Sequence, residues 1–255
     1  MITLLSLLAA PAIADEPSHP PRLFSGQGTP WTVGAGNGAV GLGRPLTVGV
    51  GDVTDVTVNT TLVVALLAPT VQVKRTVQDN GERAFAVVGE ASVPTWGFRQ
   101  LQTGFLQPIL ADQTVPMAAV IGVTGLAGWR REDLVVSAGL RLRAGVPFED
   151  GTVTKQDAAW LDPALAPLSE GWSLQPLARV DWLPSPSWQL TAQGRVEIAG
   201  GLELQGKLGA LRAVGDHVAL GLGVNGAVAR ETWGWSVPAA LLQQVYPTAD
   251  VQARW

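Results

Sequence analysis

The chain has 255 residues, 47% of them hydrophobic, with 30 glycines, 18 prolines, 10 tryptophans, no cysteine and a net charge of −4. The absence of cysteine excludes a disulfide scaffold and thiolate zinc sites, though it does not fix the compartment. Acids and bases are interspersed, no basic block occurs, and one tyrosine with five phenylalanines offers little for base stacking, so a nucleic-acid groove is excluded too.

The first residues, "MITLLSLLAAPAIADEP", join an apolar run to Ala12-Ile13-Ala14, a small-x-small cleavage pattern, and then to Asp15 and Glu16. They read as a signal peptide over 1–14, cleaved after Ala14; the competing reading is a buried N-terminal helix. Residues 15–28 form a proline-rich extended lead-in, and a barrel domain is expected over 29–255. No later segment has 18 consecutive apolar residues, so no transmembrane helix is expected.

From there on the chain alternates. In "WQLTAQGRVEIA" (188–199), Trp188, Leu190, Ala192, Gly194, Val196 and Ile198 share one face, against Gln189, Thr191, Gln193, Arg195 and Glu197. The stretches 202–210, 134–145 and 54–63 behave alike, and a period of two is that of a strand with one apolar face. About 12 strands are expected, at 29–37, 40–51, 54–66, 68–78, 83–93, 114–126, 133–146, 174–183, 187–199, 201–213, 217–229 and 246–255, with 10–14 compatible. Connections after even strands are short ("DVTD", "QDNGE", "GWRRED", "LPSPS", "AVGDH"). The three long ones, near 94–113, 147–173 and 230–245, all follow odd strands. A soluble sandwich has no reason to sort loop length by parity, whereas a membrane barrel has short turns on one side and long loops on the other. Tryptophans divide the same way. Trp129, Trp182, Trp188 and Trp255 flank the short connections or the terminus, and Trp96, Trp172, Trp233 and Trp235 flank the long ones. Two belts at the membrane interfaces are expected, in place of the strand-centre positions of core tryptophans.

The last strand, "YPTADVQARW", sets Pro247, Ala249, Val251, Ala253 and Trp255 on one side. With that ending, the chain resembles a bacterial outer-membrane β-barrel of the porin-like class, in which the final strand commonly ends in Phe or Trp after alternating apolar residues. The resemblance covers the whole mature chain. It implies an all-β, antiparallel, up-and-down transmembrane barrel in a Gram-negative outer membrane, monomeric, in contact with outer-membrane lipid. It also implies recognition of the last strand by the barrel-assembly machinery, with Trp255 at the periplasmic interface.

Motifs for chemistry are weak. "GNGAVG" (36–41) matches a dinucleotide fingerprint, but strand-like "LGRPLTVGVG" follows where a helix is needed. A glycine-rich hairpin is the better account. Of two histidines, His19 lies in the lead-in and His217 beside Asp216 in a short turn, so no catalytic set, metal site or cofactor is expected. The acidic loop 147–173 lacks the spacing of a calcium loop and reads as solvated, while "WGFRQLQTGFLQPIL" (96–110) has near-helical apolar spacing and packs at the rim or guides apolar solutes.

Function is expected inside. Lys74, Glu90, Arg141, Arg143, Arg179, Asp181, Arg195, Glu197, Glu203, Lys207, Asp250 and Arg254 oppose the apolar face and are expected to line the lumen, with Asp55. Charge on the lipid side would cost about 2–4 kcal/mol at mid-membrane. Passive passage of a small solute through a charged lumen is the leading reading. The alternatives are a structural or surface-binding barrel with a plugged lumen and, third, an outer-membrane enzyme, which two histidines disfavour. Water is expected around Arg141 and Arg143, because Ala219, Gly221, Gly223 and Ala227 leave the inner face of a later strand bare.

Overall fold

The structure is a computed structural model that describes residues 13–14, 28–41, 44–58, 69–93, 117–148, 171–199, 202–229 and 245–255. Twelve antiparallel strands close into one barrel. They are β1 (Gly38–Gly41), β2 (Arg44–Gly51), β3 (Thr54–Val58), β4 (Thr70–Asp79), β5 (Arg83–Ser92) and β6 (Ala118–Arg131). The ring continues with β7 (Leu134–Pro147), β8 (Trp172–Ser185), β9 (Trp188–Ile198), β10 (Leu202–Ala213), β11 (Val218–Ala229) and β12 (Val245–Arg254). Each pairs with its neighbours in chain order, and β12 returns to β1. Ile13–Ala14, at the end of the expected signal peptide, pairs in parallel with Gln78 and Asp79.

Local chemistry explains the hairpins. Between β4 and β5, the Asp79 carboxylate accepts the Gly81 N–H at 2.8 Å and Asn80 Oδ1 accepts the Arg83 N–H at 2.7 Å. Gly81 supplies φ 88°, which a side chain would resist. Turns 52–53, 80–82, 132–133, 186–187 and 214–217 share one end of the barrel. The connections 94–116, 149–170 and 230–244, which hold most of the acidic loop and the apolar segment 96–110, lie outside the described residues.

The two faces of the wall differ in kind. Outward residues are apolar and bare: Leu208 is 64% exposed and Leu222 73%, with Leu140, Leu142, Leu204 and Leu220 alongside. Inward residues are polar and covered: Asp181 and Gln189 are fully buried, with Arg143, Gln175, Arg179 and Glu197 nearly so. Water would drive the opposite arrangement. The 14-residue strands β6, β7 and β8 run for about 46 Å, or about 33 Å of height at a ~45° tilt, against ~30 Å of bilayer hydrocarbon.

The beginning of the barrel departs from expectation. Residues 29–37 are not a strand, and the expected strand 40–51 is instead a hairpin of β1 and β2, so the count of 12 is reached by a different route. Pro30 has no N–H for a ladder, and Gly34 and Gly36 have φ of 84° and 74°, which breaks an extended run. The segment folds inside the barrel, with Thr29, Pro30, Trp31 and Thr32 buried. β3 ends at Val58, and the remainder of the expected strand 54–66 lies outside the described residues.

Candidate functional site

The interior holds two polar layers on the β4–β8 side. Nearer the short turns, Asp55 of β3 and Lys74 of β4 face each other and pair at 3.0 Å. Arg179 and Asp181, two residues apart on one face of β8, form a two-pronged pair at 2.7 and 2.8 Å. Gln189 and Thr191 of β9 donate to the same carboxylate at 2.8 and 2.6 Å. A buried carboxylate so surrounded is satisfied as an anion.

Nearer the long loops, Arg143 pairs with Glu197 at 2.7 Å, reaching past β8 to β9, and its Nε donates to Ser173 at 3.2 Å. Gln175 donates to the other oxygen of Glu197 at 2.5 Å and accepts from Arg141 at 3.2 Å. Arg141 lies 3.7 Å from Glu90, to which Gln72 also donates at 3.2 Å. Gly122 makes room for this crowd, because a Cβ there would stand 2.8 Å from Glu90 Oε1 and 3.0 Å from Arg143 Cγ. Ala86, Val88, Leu126 and Leu177 form an apolar cluster on this wall.

The N-terminal segment 28–34 covers the first layer. Thr76 Oγ1 donates to the Pro30 carbonyl at 2.6 Å, and Lys74 Nζ donates to the Trp31 carbonyl. The Asp55 carboxylate accepts the Val33 N–H at 3.0 Å, and Thr32 Oγ1 donates to the Asp52 carbonyl at 2.8 Å. The Trp31 ring packs on Ala84, Val135 and Leu183.

Around the ring, this cover ends. One register row runs Val135, Asp181, Thr191, Gly209, Gly223, Thr248 from β7 to β12. The first two members are fully buried and the last four only partly. The next row behaves alike: Ser137 and Arg179 are buried, while Gln193, Lys207 and Asn225 are half-buried. On these two rows the β9–β11 wall is half-buried, while Gln189 and Glu197 of β9 and Gln205 of β10 stay covered, Gln205 accepting from the half-buried Arg195.

The residues expected in the lumen are thus distributed unevenly. Lys74, Glu90, Arg141, Arg143, Arg179, Asp181 and Glu197 sit in the two layers, and Arg195, Lys207 and Asp250 on the half-buried strip, where Gln252 donates to Asp250 at 2.8 Å. Arg254 stands at the rim, its Nε donating to the Asp216 carbonyl at 2.8 Å, and His217 Nδ1 lies 3.1 Å from the Arg254 carbonyl in the same turn. The Glu203 side chain lies outside the described ones. Water around Arg143 is not what the geometry provides: the guanidinium is 6% exposed, and its partner is Glu197, while Asp181 is taken by Arg179. Trp129, Trp182, Trp188 and Trp255 point outward at the short-turn end and Trp172 at the other; Trp96, Trp233 and Trp235 lie outside the described residues. Trp182 donates to Asp133 at 2.9 Å, and Arg212 stacks on Trp188 at 5.7 Å. Among the described residues, no three His, Asp or Glu side chains converge on a metal position. Sequence reading missed segment 28–34. Its signal is local: "GTPWTVG" holds a proline and no two-faced alternation, and its tryptophan adjoins no turn.

No family model and no curated protein matches the chain. Among solved structures, the chain is similar to the KdgM porin in complex with disordered oligogalacturonate, with a TM-score of 0.44 and 6% identity over 85% of this chain and 95% of that one. It is also similar to the outer-membrane channel DcaP of Acinetobacter baumannii (TM-score 0.35, 8% identity, 82% of this chain, 60% of that one). OccAB2 of Acinetobacter baumannii is a third (TM-score 0.39, 9% identity, 83% and 53%). The likeness is one of fold alone.

Proposed function

We propose that this protein is a bacterial outer-membrane barrel that passes a small polar solute passively along the β9–β12 side of its lumen. The observation that carries this reading is the asymmetry of the interior. Along two register rows Asp181, Ser137 and Arg179 are buried, whereas Thr191, Gln193, Gly209, Lys207, Gly223, Asn225 and Thr248 are only half-buried, although Gln189, Glu197, Gln205 and Gln252 on the same strands are covered. A water-filled path lined by Arg195, Lys207, Asn225 and Asp250 selects by charge and size and needs no enzyme chemistry. The outward leucines support a lipid surround, with the outward tryptophans as its interfacial girdle. In this reading the short turns face the periplasm, residues 1–14 are removed on export, the barrel works as a monomer, and the assembly machinery reads β12.

A second reading, a structural barrel with a plugged lumen, is favoured by one observation, the buried segment 28–34. Single-channel recording of the refolded protein in planar bilayers separates the two. Discrete openings support passage; a folded, inserted and silent barrel supports the structural role.

A further inference from the structure

We infer that residues 28–34 are a displaceable gate that narrows the short-turn half of the lumen, an inference that rests on the passage reading. The wall is shaped around this segment from two sides. On β6, a Cβ at Gly128 would stand 2.6 Å from the Pro30 ring and 2.7 Å from the Trp31 ring. On β2, a Cβ at Gly49 would stand 1.9 Å from the Gly34 carbonyl oxygen. Real Cβ atoms do not approach so closely, so both inward positions admit only glycine while the segment is docked. Two glycines on well-separated strands, each matched to the same few residues, make a seat.

The manner of holding is that of a latch. Thr76 and Lys74 donate to main-chain carbonyls of the segment, and the Asp55 carboxylate accepts a main-chain N–H from it. Lys74 and Asp55 also hold each other at 3.0 Å, and Asp181 keeps Arg179, Gln189 and Thr191. When the segment leaves, no wall charge loses its ion partner, and the bonds that Thr76, Lys74 and Asp55 made to it pass to entering water. Docking, by contrast, leaves two polar atoms without a partner among the described residues: the buried Trp31 Nε1 and the Ser137 hydroxyl. Ser137 is the cross-strand partner of Gly128, directly beneath the ring. Water reaching the site would satisfy both, which lowers the cost of leaving. Gly28 and Gly34, with φ of 79° and 84°, bracket the segment, and beyond them the Gly36 N–H bonds the Gly49 carbonyl at 3.0 Å. The chain therefore turns at 34–36 while its continuation stays tied to the wall. With the segment out, the half-buried strip and the Lys74–Asp55 and Arg179–Asp181 pairs would bound one wider passage.

The chain has no cysteine, so one introduced thiol reports cleanly. The test uses the full mature chain, refolded, with Ser137→Cys as reporter, alone and combined with Gly128→Val, which adds atoms where the segment sits. A charged water-soluble thiol reagent should label position 137 at least about tenfold faster in the combined variant, as expected for a site exposed only on local opening. Conductance should rise roughly threefold or more as the lumen widens. Equal labelling in two folded barrels would overturn the inference, as would faster labelling with unchanged, measurable conductance. Faster labelling with no conductance in either protein would instead overturn passage, and the gate with it. Where Gly128→Val fails to fold, Trp31→Ala, which adds no atoms, serves the same comparison.

Discussion

Two arginines on one strand should respond very differently to the same change. Arg143→Gln removes the ion partner of Glu197, whose side chain is 2% exposed, and leaves that carboxylate with Gln175 as its neutral donor. Breaking a buried pair this way costs about 3–5 kcal/mol. Arg141→Gln removes a cation that is 21% exposed and 3.7 Å from Glu90, which keeps its bond from Gln72. That distance exceeds a hydrogen bond, and with the bonds from Arg141 to Thr124 and Gln175, both 3.2 Å, lost as well, the loss should be about 1–2 kcal/mol. With a urea slope of ~2 kcal/mol per molar, the midpoints should fall by about 2 M and by under ~1 M. Tryptophan fluorescence of the refolded barrels during urea unfolding measures both. Adding Glu197→Gln to Arg143→Gln should restore most of the midpoint, because no buried charge then lacks a partner. Equal shifts for the two arginines, or a double variant weaker than Arg143→Gln, would refute the assignment of Arg143 to a sealed network.

A Cβ on Gly38 would stand 2.3 Å from the Trp255 ring, so Gly38→Ala should reduce folding yield. Trp255→Ala should also reduce it in cells, while adding little to Gly38→Ala, and purely additive losses would show that the two do not share one contact. Cysteines placed at Asn80 and Gly215 should resist an impermeant thiol reagent in intact cells, and one at Asp157 should react; labelling at 80 alone would invert the orientation. N-terminal sequencing of outer-membrane material should begin at Asp15, and an intact Met1 would defeat the export reading.

Most of the wall was legible because it obeys a period of two with a sharp contrast between faces. From β5 to β12 the expected strands match within a few residues, since each carries alternating apolar and polar side chains and ends in turn chemistry such as Asp79-Asn80-Gly81. The first strands were not legible, because glycine erases the contrast that periodicity needs. In 34–43 every second or third residue is glycine, so the run offers no face to count. Inside, the sequence assigns Arg141, Arg143, Glu197 and Asp181 to one side of the wall but not to one another. Arg143 meets Glu197 two strands away, past β8, because closure brings β7 and β9 around one interior. Adjacent-strand reasoning points to Asp181 instead. The position of segment 28–34 follows from neither rule, since its seat is made by missing Cβ atoms at Gly128, against Pro30 and Trp31, and at Gly49, against Gly34.

The seam between β12 and β1 has a bearing on how the molecule is made. Among the described residues, Gln252, Ala253 and Arg254 pair there, followed by the mutual Gly38–Trp255 bonds at 3.1 Å, whereas β9 and β10 share eleven pairs. Hairpins such as β4–β5 or β8–β9 join near neighbours and close only short loops. The seam joins nearly the two most distant parts of the described wall and must pay the entropy of a very long loop. Closure is therefore the last step, and the zipper of hairpins waits as an unclosed sheet until β12 meets β1. That waiting sheet has two unpaired edges inside a hydrocarbon medium, where each orphaned peptide group costs several kcal/mol. A short seam between the ends of the wall thus decides when the protein becomes a barrel, and a catalyst that holds the free edges would act at that joint before any other.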